Sequence, residues 1–427
     1  MNLKEKKLLI LGANPETAGL VKKANELGVY TIVTDYDPNA YAKQFASKAL
    51  NINAIDLDDL HEYAVSNKID GVLVGVAEAL LPTYQKLCKK LGFPYYAEPD
   101  ILELMTDKKQ FKDICRKYDV PVVEEYHIDY TDESTFSQVK LPVVVKPVDS
   151  CSSKGISVCR TEDELKSGIE KALSFSKSKQ LLIEKYMTGE EVIVYYTFQN
   201  GEPILTAMCD RYTNKEQEGV AQLPTSYIYP SRHLKKYMEE TDAKVKKMFK
   251  GIGIQHGTTF IQSFVDEDGG IRFYEPGYRL NGAQEHYIVG AITGIDVKEL
   301  MINFALTGKM SDEDLSKKAN PMFPKWGCKL SPLVKLGKIA KMDGLDEIAA
   351  MPEVVSVNPS YRIGETVTGI GTLKQIICRF FVVADTKQEL REAIDKIYKI
   401  FIVEDENGSS MFLTFFDSGI IDKNYND

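Results

Sequence analysis

The stretch Ile271-Arg-Phe-Tyr-Glu275-Pro-Gly-Tyr-Arg279-Leu-Asn281-Gly282 is the most informative part of this sequence. It follows the turn residues Asp266-Glu-Asp-Gly-Gly270, which in turn follow an apolar run from Thr258 to Val265. Two short apolar runs joined by an acidic, glycine-containing turn predict a β-hairpin. A carboxylate and a guanidinium, Glu275 and Arg279, therefore stand at the end of the second strand of that hairpin.

Two further charged motifs lie upstream of the hairpin. Leu141-Pro-Val-Val-Val-Lys146-Pro ends an apolar strand in a lysine, and Leu181-Leu-Ile-Glu184-Lys-Tyr-Met-Thr-Gly189-Glu-Glu191 ends another in carboxylates. A lysine binds phosphate oxygens, and carboxylates accept hydrogen bonds from an adenine amine or ribose hydroxyls, or bind Mg²⁺. Each motif alone is typical of a solvated strand end. Their order and spacing together predict a site for MgATP.

By these motifs the chain resembles the ATP-grasp superfamily, in particular its biotin-carboxylase-like branch of carboxylate–amine and L-amino-acid ligases, over roughly residues 5–400. The resemblance implies a mixture of α/β and α+β structure in three domains. These are an N-terminal Rossmann-like parallel-sheet domain at 1–105, an ATP-grasp domain at 106–310 with a mobile lid at about 122–187, and a C-terminal α+β domain at 311–427. Strands that alternate with helices as far as Gly92 independently predict a parallel sheet in the first domain.

The resemblance also implies a set of ATP ligands. The phosphates are assigned to Lys108, Lys146, Ser152, Ser153 and Gly155, the adenine to Glu184, Lys185, Tyr186 and Met187, and the ribose to Glu191 with Glu190 as the alternative. The serine-rich loop has less glycine than the family usually has, and a polar surface loop is its plain alternative. For Lys108 the alternative is a solvated lysine in a first helical turn.

The metal ligands implied by the resemblance are Glu275, which would bridge two Mg²⁺ ions, and Gln262, with Mn²⁺ as a substitute metal. This sequence departs from the family pattern at two points. Position 262 holds a neutral glutamine where the family usually has a second carboxylate, and Gly277 replaces the asparagine of Glu-x-Asn-x-Arg. A glutamine oxygen can bind Mg²⁺ without adding charge. Gln262 is therefore either a weak ligand or a structural strand residue, and Asn281 is a candidate replacement ligand.

For catalysis the resemblance implies that Arg279 stabilises the transferred phosphoryl group. Three residues are candidates for substrate binding. Glu78 follows an apolar strand, where ligands of open α/β sheets bind, and would hold a substrate amine; its alternative is an acidic residue at a helix N-terminus. Arg211 and Arg362 would bind substrate carboxylates, and their alternative is an ordinary surface charge.

Two helices and one loop complete these expectations. Thr106 is predicted to cap a helix that begins near Lys108, and a single long helix is predicted over residues 235–249. The turn at Gly12 lacks the Gly-x-Gly-x-x-Gly pattern that a dinucleotide pyrophosphate requires, so we exclude NAD.

Composition limits the remaining function classes. The 427 residues are 44% hydrophobic with a net charge of −9, which argues against a general binder of nucleic acid or anionic membranes. No apolar run is long enough for a membrane helix or a signal peptide. The seven cysteines are scattered singly, which argues against zinc and for a reducing cytoplasm. The expected partners are a small-molecule carboxylate and amine, and a homodimer is allowed.

The sequence thus predicts a carboxylate–amine ligase that forms an acylphosphate and releases ADP and phosphate. One alternative is an enzyme of the same fold that forms carboxyphosphate or carbamoyl phosphate. Another is an ATP-binding module with little catalysis, an interpretation suggested by the neutral Gln262.

Overall fold

A four-stranded parallel sheet forms the N-terminal part of the molecule, in a computed structural model that describes residues 2–149, 155–214 and 222–425. Its elements are β1 (Lys7–Leu11), α1 (Ala18–Glu26), β2 (Tyr30–Thr34), β3 (Lys48–Leu50), α2 (Leu57–Ser66), β4 (Gly71–Val74), α3 (Leu81–Leu91) and α4 (Pro99–Thr106). The strand order is β3-β2-β1-β4, and every pair is parallel. Parallel strands are buried on both faces, which explains the uninterrupted apolar run Leu8–Leu11.

The next helix, α5 (Lys108–Lys117), begins one residue later than its predicted cap requires. The Asp107 side chain accepts a hydrogen bond from the Gln110 amide and caps α5, so the prediction of a Thr106 cap is wrong. Thr106 instead ends α4, where its hydroxyl donates to the Leu102 carbonyl. Aspartate is as good an N-cap as threonine, and here it is the residue with extended backbone at the boundary.

A small module with its own core follows. It contains β5 (Val143–Pro147), β6 (Ser157–Cys159), α6 (Glu162–Phe175) and β7 (Leu181–Lys185). Its antiparallel sheet has the order β6-β5-β7, and α6 packs on that sheet through Leu165 and Ile169. This module coincides with the predicted lid; its mobility remains a prediction.

The largest sheet has eight strands. The ATP-grasp part contributes β8 (Glu191–Gln199), β9 (Glu202–Thr213), β10 (Pro224–Tyr229), α7 (Leu234–Glu240), α8 (Asp242–Ile252), β11 (Gly257–Val265), β12 (Ile271–Gly277), α9 (His286–Thr293) and α10 (Val297–Thr307). The predicted hairpin is present as β11 and β12. The predicted single helix over 235–249 is wrong, because Thr241 leaves helical geometry and divides it into α7 and α8.

The C-terminal part continues the same sheet. Its elements are α11 (Leu315–Lys318), β13 (Trp326–Leu330), β14 (Leu333–Val334), β15 (Gly337–Lys338), β16 (Lys341–Asp343), α12 (Leu345–Ala349), β17 (Val354–Pro359), β18 (Thr366–Val367), β19 (Cys378–Ala384), α13 (Lys387–Ile400), β20 (Ile402–Glu404), β21 (Phe412–Thr414) and α14 (Gly419–Asn424). The strand order is β12-β11-β8-β9-β10-β13-β19-β17, so the sheet crosses the predicted domain boundary at 311. The domain limits therefore remain a prediction.

Short 3₁₀ turns link several of these elements, at Pro15–Thr17, Tyr41–Phe45, Glu78–Leu80, Glu133–Gln138 and Leu373–Gln375. In the described ranges, no helix combines the length and the apolar character needed to cross a bilayer.

Candidate active site

The β11–β12 hairpin fixes the centre of the candidate site. Its register pairs Gln262 with Glu275, and Phe260 with Gly277. Paired residues of antiparallel strands lie side by side, so the two predicted metal ligands are neighbours. Lys108, near the start of α5, reaches the same place, with its Nζ 3.3 Å from Oε1 of Glu275.

A buried carboxylate lies between two lysines beside the hairpin. Oε2 of Glu184 lies 2.8 Å from Nζ of Lys146, and Oε1 lies 2.5 Å from Nζ of Lys112. Lys112 also reaches Oε1 of Glu125 at 3.0 Å. The predicted adenine ligand Glu184 thus directs its carboxylate toward the lysines. The residues after it, 185–187, line the neighbouring cavities.

The two lysines favour the ionised form of the Glu184 carboxylate. Burial alone would raise the pKa of Glu184, but Lys146 and Lys112 together hold that pKa below its ordinary value. Burial lowers the pKa of Lys146, and Glu184 opposes that effect. A buried carboxylate with two ammonium partners stays charged because each partner offsets its loss of hydration.

Sequence analysis missed Lys112 and Glu125. The signal for Lys112 was its position one helical turn after Lys108, which places both lysines on one face of α5. Glu125 lies in an irregular segment beside Glu124, and its bridge to Glu184 joins positions far apart in the chain. Such a contact leaves no local pattern.

A second ion pair joins the N-terminal sheet to the hairpin. Oε2 of Glu78 lies 3.4 Å from Nε of Arg279, whose guanidinium also covers the Phe260 ring at 5.1 Å. Burial raises the pKa of Glu78, Arg279 opposes that rise, and the charge of Glu275 adds to it. Glu78 follows β4, so the parallel sheet presents it at the carboxyl ends of its strands.

Glu275 links the two ion-paired groups into one site. Its charge raises the pKa of Glu78 on one side and that of Lys146 on the other, although burial dominates both shifts. The charge of Lys108 also lowers the pKa of Glu78, so these charged groups share one electrostatic environment. Glu275 therefore belongs to one charged cluster with Lys108, Lys146 and the Glu78–Arg279 pair.

The predicted ribose ligand also has a protein partner. Glu191 forms an ion pair with Arg211, and the Tyr274 hydroxyl donates to Oε2 of Glu191 at 3.3 Å and to Oε1 of Gln262 at 2.9 Å. This places Arg211 beside Glu191 at the start of β8. The alternative Glu190 instead pairs with Arg232 and with His233, whose Nε2 lies 2.8 Å away.

Two cavities adjoin the segment that follows β7. The larger measures about 640 Å³ and the smaller about 310 Å³. The larger is lined by residues 185–190, Arg232, His233, Val265, Asp266, Glu267, Gly269 and Asn424. The smaller is lined by residues 186–191, Asp210, Arg211, Tyr212, Thr213, Gln222 and Phe264. Both have the polar and apolar mixture that a nucleotide base and ribose require.

Gly155 and Arg362 are placed differently from the central cluster. Gly155 has φ +76°, and a Cβ there would approach Cβ of Phe175 to 2.8 Å, so the lid packing requires glycine. Arg362 is exposed in a separate crevice, where its Nη2 donates to Oε1 of Gln44. Ser152 and Ser153 lie outside the described residues.

Glu285, just before α9, was not predicted. It is 5% exposed, and burial raises its pKa to about 8, against the opposing charges of Lys329 and Arg279. The neighbouring Asn281 is also buried; its Nδ2 donates to the Tyr195 hydroxyl at 3.3 Å and its Oδ1 accepts from the Ala283 amide at 3.0 Å.

Two family models match this chain. Residues 139–284 match an ATP-grasp domain, and residues 333–400 match the L-amino acid ligase C-terminal domain 2. Among curated proteins, the carbamoyl phosphate synthase large chain of Clostridium botulinum is 22% identical over 325 residues, which cover 72% of this chain but only 30% of that relative.

Solved structures extend the likeness to nearly the whole chain. The L-amino acid ligase of Bacillus licheniformis superposes with a TM-score of 0.75 at 19% identity, covering 95% of this chain and 100% of that one. The biotin carboxylase domain dimer of Hydrogenobacter thermophilus 2-oxoglutarate carboxylase, solved with MgADP, ADP and bicarbonate, gives 0.75 at 18% identity, covering 93% and 90%. These likenesses confirm the predicted three-domain fold.

Proposed function

We propose that this chain, an ATP-grasp ligase with an L-amino acid ligase C-terminal domain, uses ATP to join a small carboxylate to an amine. The observation that carries the proposal is the direct contact of Lys108 with Glu275, in a charged cluster that also holds the ion pair of Arg279. Such a site supplies charge neutralisation and alignment, which are the main requirements of phosphoryl transfer.

ATP is assigned to the space between the lid and the central sheet. Lys108 and Lys146 would bind its phosphates, with Gly155 in the loop above them. The backbone of residues 185–187 would contact adenine, because the Glu184 carboxylate is already held by two lysines. Glu191 would accept the ribose hydroxyls, and Arg211 fixes the orientation of that carboxylate.

The first step transfers a phosphoryl group. An oxygen of the substrate carboxylate attacks the γ-phosphorus, the bond to the β,γ-bridging oxygen breaks, and ADP leaves with an acylphosphate formed. Arg279 would stabilise the charge on the transferred group, since its guanidinium is held in place by Glu78 and the Phe260 ring. A Mg²⁺ ion at Glu275 would neutralise charge on the β- and γ-phosphates when bound.

The second step makes the C–N bond. The ammonium group first gives one proton to solvent, the free amine attacks the acyl carbon as phosphate leaves, and the nitrogen then gives a second proton to solvent. Glu78 would hold the amine as an ammonium group before it reacts, because a partly buried carboxylate gains from a charged partner. Arg211 remains a candidate for binding a substrate carboxylate. Arg362 is less suited to this role, since it lies in a separate crevice with Gln44.

A carboxyphosphate-forming enzyme is the second candidate. It is favoured by the likeness to a carbamoyl phosphate synthase chain and to a biotin carboxylase domain solved with bicarbonate. In that case bicarbonate would replace the organic carboxylate at the same phosphoryl-transfer site. Magnesium as the resident metal, a homodimer and a cytoplasmic location remain predictions.

An ADP-release assay tests these alternatives. Purified chain, ATP and Mg²⁺ are combined with pooled amino acids and small carboxylates, and the product is identified by mass. ADP release that needs both a carboxylate and an amine is the expected result. Dependence on bicarbonate would favour the second candidate. ATP binding without ADP release under any condition would leave only a nucleotide-binding module.

A further inference from the structure

The oxygen ligands around Glu275 are fewer than a two-metal site needs. From their geometry we propose that this chain binds ATP with one divalent cation, held by Glu275, and that Gln262 is not a metal ligand. The inference rests on the proposed function, because the cation accompanies the ATP phosphates.

Gln262 faces Glu275 across the hairpin. Its Oε1 accepts a hydrogen bond from the Tyr274 hydroxyl at 2.9 Å. A cation there would compete with the Tyr274 hydroxyl for the amide oxygen, and the amide adds no negative charge in return. The Tyr274 hydroxyl thus links Gln262 to Glu191.

At Gly277, the Phe260 ring lies in the space that a side-chain ligand would take. A Cβ built there would lie 2.2 Å from Cζ of Phe260, the residue opposite it in the hairpin. Real Cβ contacts do not approach that distance, so the phenylalanine ring takes the space of the missing asparagine side chain. Phe260 is 5% exposed and its ring lies beneath the Arg279 guanidinium.

Asn281 and Glu184, which offer other oxygens for a metal, already have partners within the protein. Both amide atoms of Asn281 are hydrogen-bonded within the protein, which removes the replacement ligand suggested by the sequence. Glu184 is held by two lysines. Over the described ranges, no three His, Cys, Asp or Glu side chains come together as a metal site. Among the described residues, Glu275 is left as the anionic ligand, since Glu78 is held by Arg279, and ATP phosphates and water would supply the rest, as is usual for Mg²⁺.

The charge of Lys108 also favours a single cation. Nζ of Lys108 lies 3.3 Å from Oε1 of Glu275, and this lysine side chain is 8% exposed. A fixed ammonium beside the single carboxylate contributes positive charge where a second cation would otherwise be needed. A site with one anionic ligand and a resident lysine is matched to one divalent ion.

Counting bound Mn²⁺ tests the inference without turnover. The chain is saturated with the nonhydrolysable β,γ-imido analogue of ATP and titrated with Mn²⁺, and free Mn²⁺ is measured by electron paramagnetic resonance. We expect one Mn²⁺ per chain in the parent and a second in Gln262→Glu. Gln255→Glu adds the same charge at an exposed position and should still bind one.

Two Mn²⁺ ions per analogue-bound parent chain would overturn this inference and leave the proposed function standing. A chain that fails to bind the analogue would overturn both. A count of one in Gln262→Glu would show that the neutral residue at 262 does not set the metal number, which also contradicts the inference.

Discussion

Nζ of Lys112 lies 2.5 Å from Oε1 of Glu184, and the two side chains are 0% and 5% exposed. This contact ties α5 to the end of β7 across the base of the lid. Because Lys146 holds the other oxygen of Glu184, the position of this proposed phosphate ligand depends on Lys112, which is not itself assigned to the nucleotide. Lys112 therefore has consequences for both stability and nucleotide binding.

Replacing Lys112 with methionine should destabilise the protein. It leaves Glu184 and Glu125 buried with fewer cations, and breaking a buried pair from one side costs about 3–5 kcal/mol. Urea denaturation at neutral pH measures this loss. Lys109→Met, an exposed lysine on the same helix, is the control and should be nearly neutral.

The loss should depend on pH. The pKa of Glu184 is lowered in the folded state, so its ionic contacts stabilise the parent above the unfolded-state pKa and are lost as pH falls through the folded one. The difference between Lys112→Met and the parent should therefore shrink in acid. A constant difference would mean that charge is not its cause.

Removing the Lys146 ammonium should weaken ATP binding. A charge-assisted hydrogen bond to phosphate is worth roughly 1.5–3 kcal/mol, which is on the order of 10- to 100-fold in affinity. Calorimetry with the imido analogue compares Lys146→Ala with the parent, and with Lys140→Ala as an exposed lid control. Equal affinities in all three proteins would remove Lys146 from the phosphate site.

Glu285 should make stability fall as pH rises. Its pKa is raised from an ordinary value near 4.5 to about 8, so between these values the folded state holds a proton that the unfolded state has lost. The free energy of unfolding then decreases by about 1.4 kcal/mol per pH unit from this group alone. Glu285→Gln should remove that slope and exceed the parent in stability at pH 8, whereas Glu347→Gln, at an exposed position, should keep it.

Glu78→Ala should raise the KM for the amine substrate on the order of tenfold, since it removes a charged partner of the ammonium group. The KM for ATP should change little, because Glu78 contacts Arg279 and not the assigned nucleotide ligands. Steady-state ADP release measures both constants. Glu62→Ala, on the exposed face of α2, is the control, and unchanged amine dependence in Glu78→Ala would argue against the assigned role.

Closure of the lid should slow amide exchange in β6 when the imido analogue binds. The module has a separate core and carries Lys146, so closure over a bound nucleotide would hold it against the central sheet. Closure would also protect the acylphosphate from water. Peptides from α13 should exchange at the same rate with and without analogue, and equal rates in β6 as well would contradict a closing lid.

The sequence was sufficient to predict features that depend on local patterns of residues. The acidic turn before Ile271 predicted the hairpin, and counting across that turn placed Gln262 opposite Glu275. The uninterrupted apolar run at Leu8–Leu11 predicted a buried parallel strand. Each of these features depends on a short hydrophobic pattern or a turn type, and neighbouring residues alone specify both.

Other features depend on contacts between distant segments. The orientation of the Glu184 carboxylate is set by Lys112 and Lys146 from two other elements, so the sequence indicated only that a carboxylate ends β7. The sheet that continues from β10 into β13 crosses the boundary at 311 that the family resemblance implied. The raised pKa of Glu285 arises from burial, which no single segment determines.

Phe260 and Gly277 also constrain how this protein can evolve or be redesigned. Gly277→Asn alone would introduce a Cβ 2.2 Å from the phenylalanine ring, so the buried Phe260 ring would have to shift. Exchanging Phe260 for a smaller residue first makes that room but removes the ring beneath Arg279. The two positions are thus epistatic, and the order of substitution decides whether a path to the asparagine-containing pattern stays open.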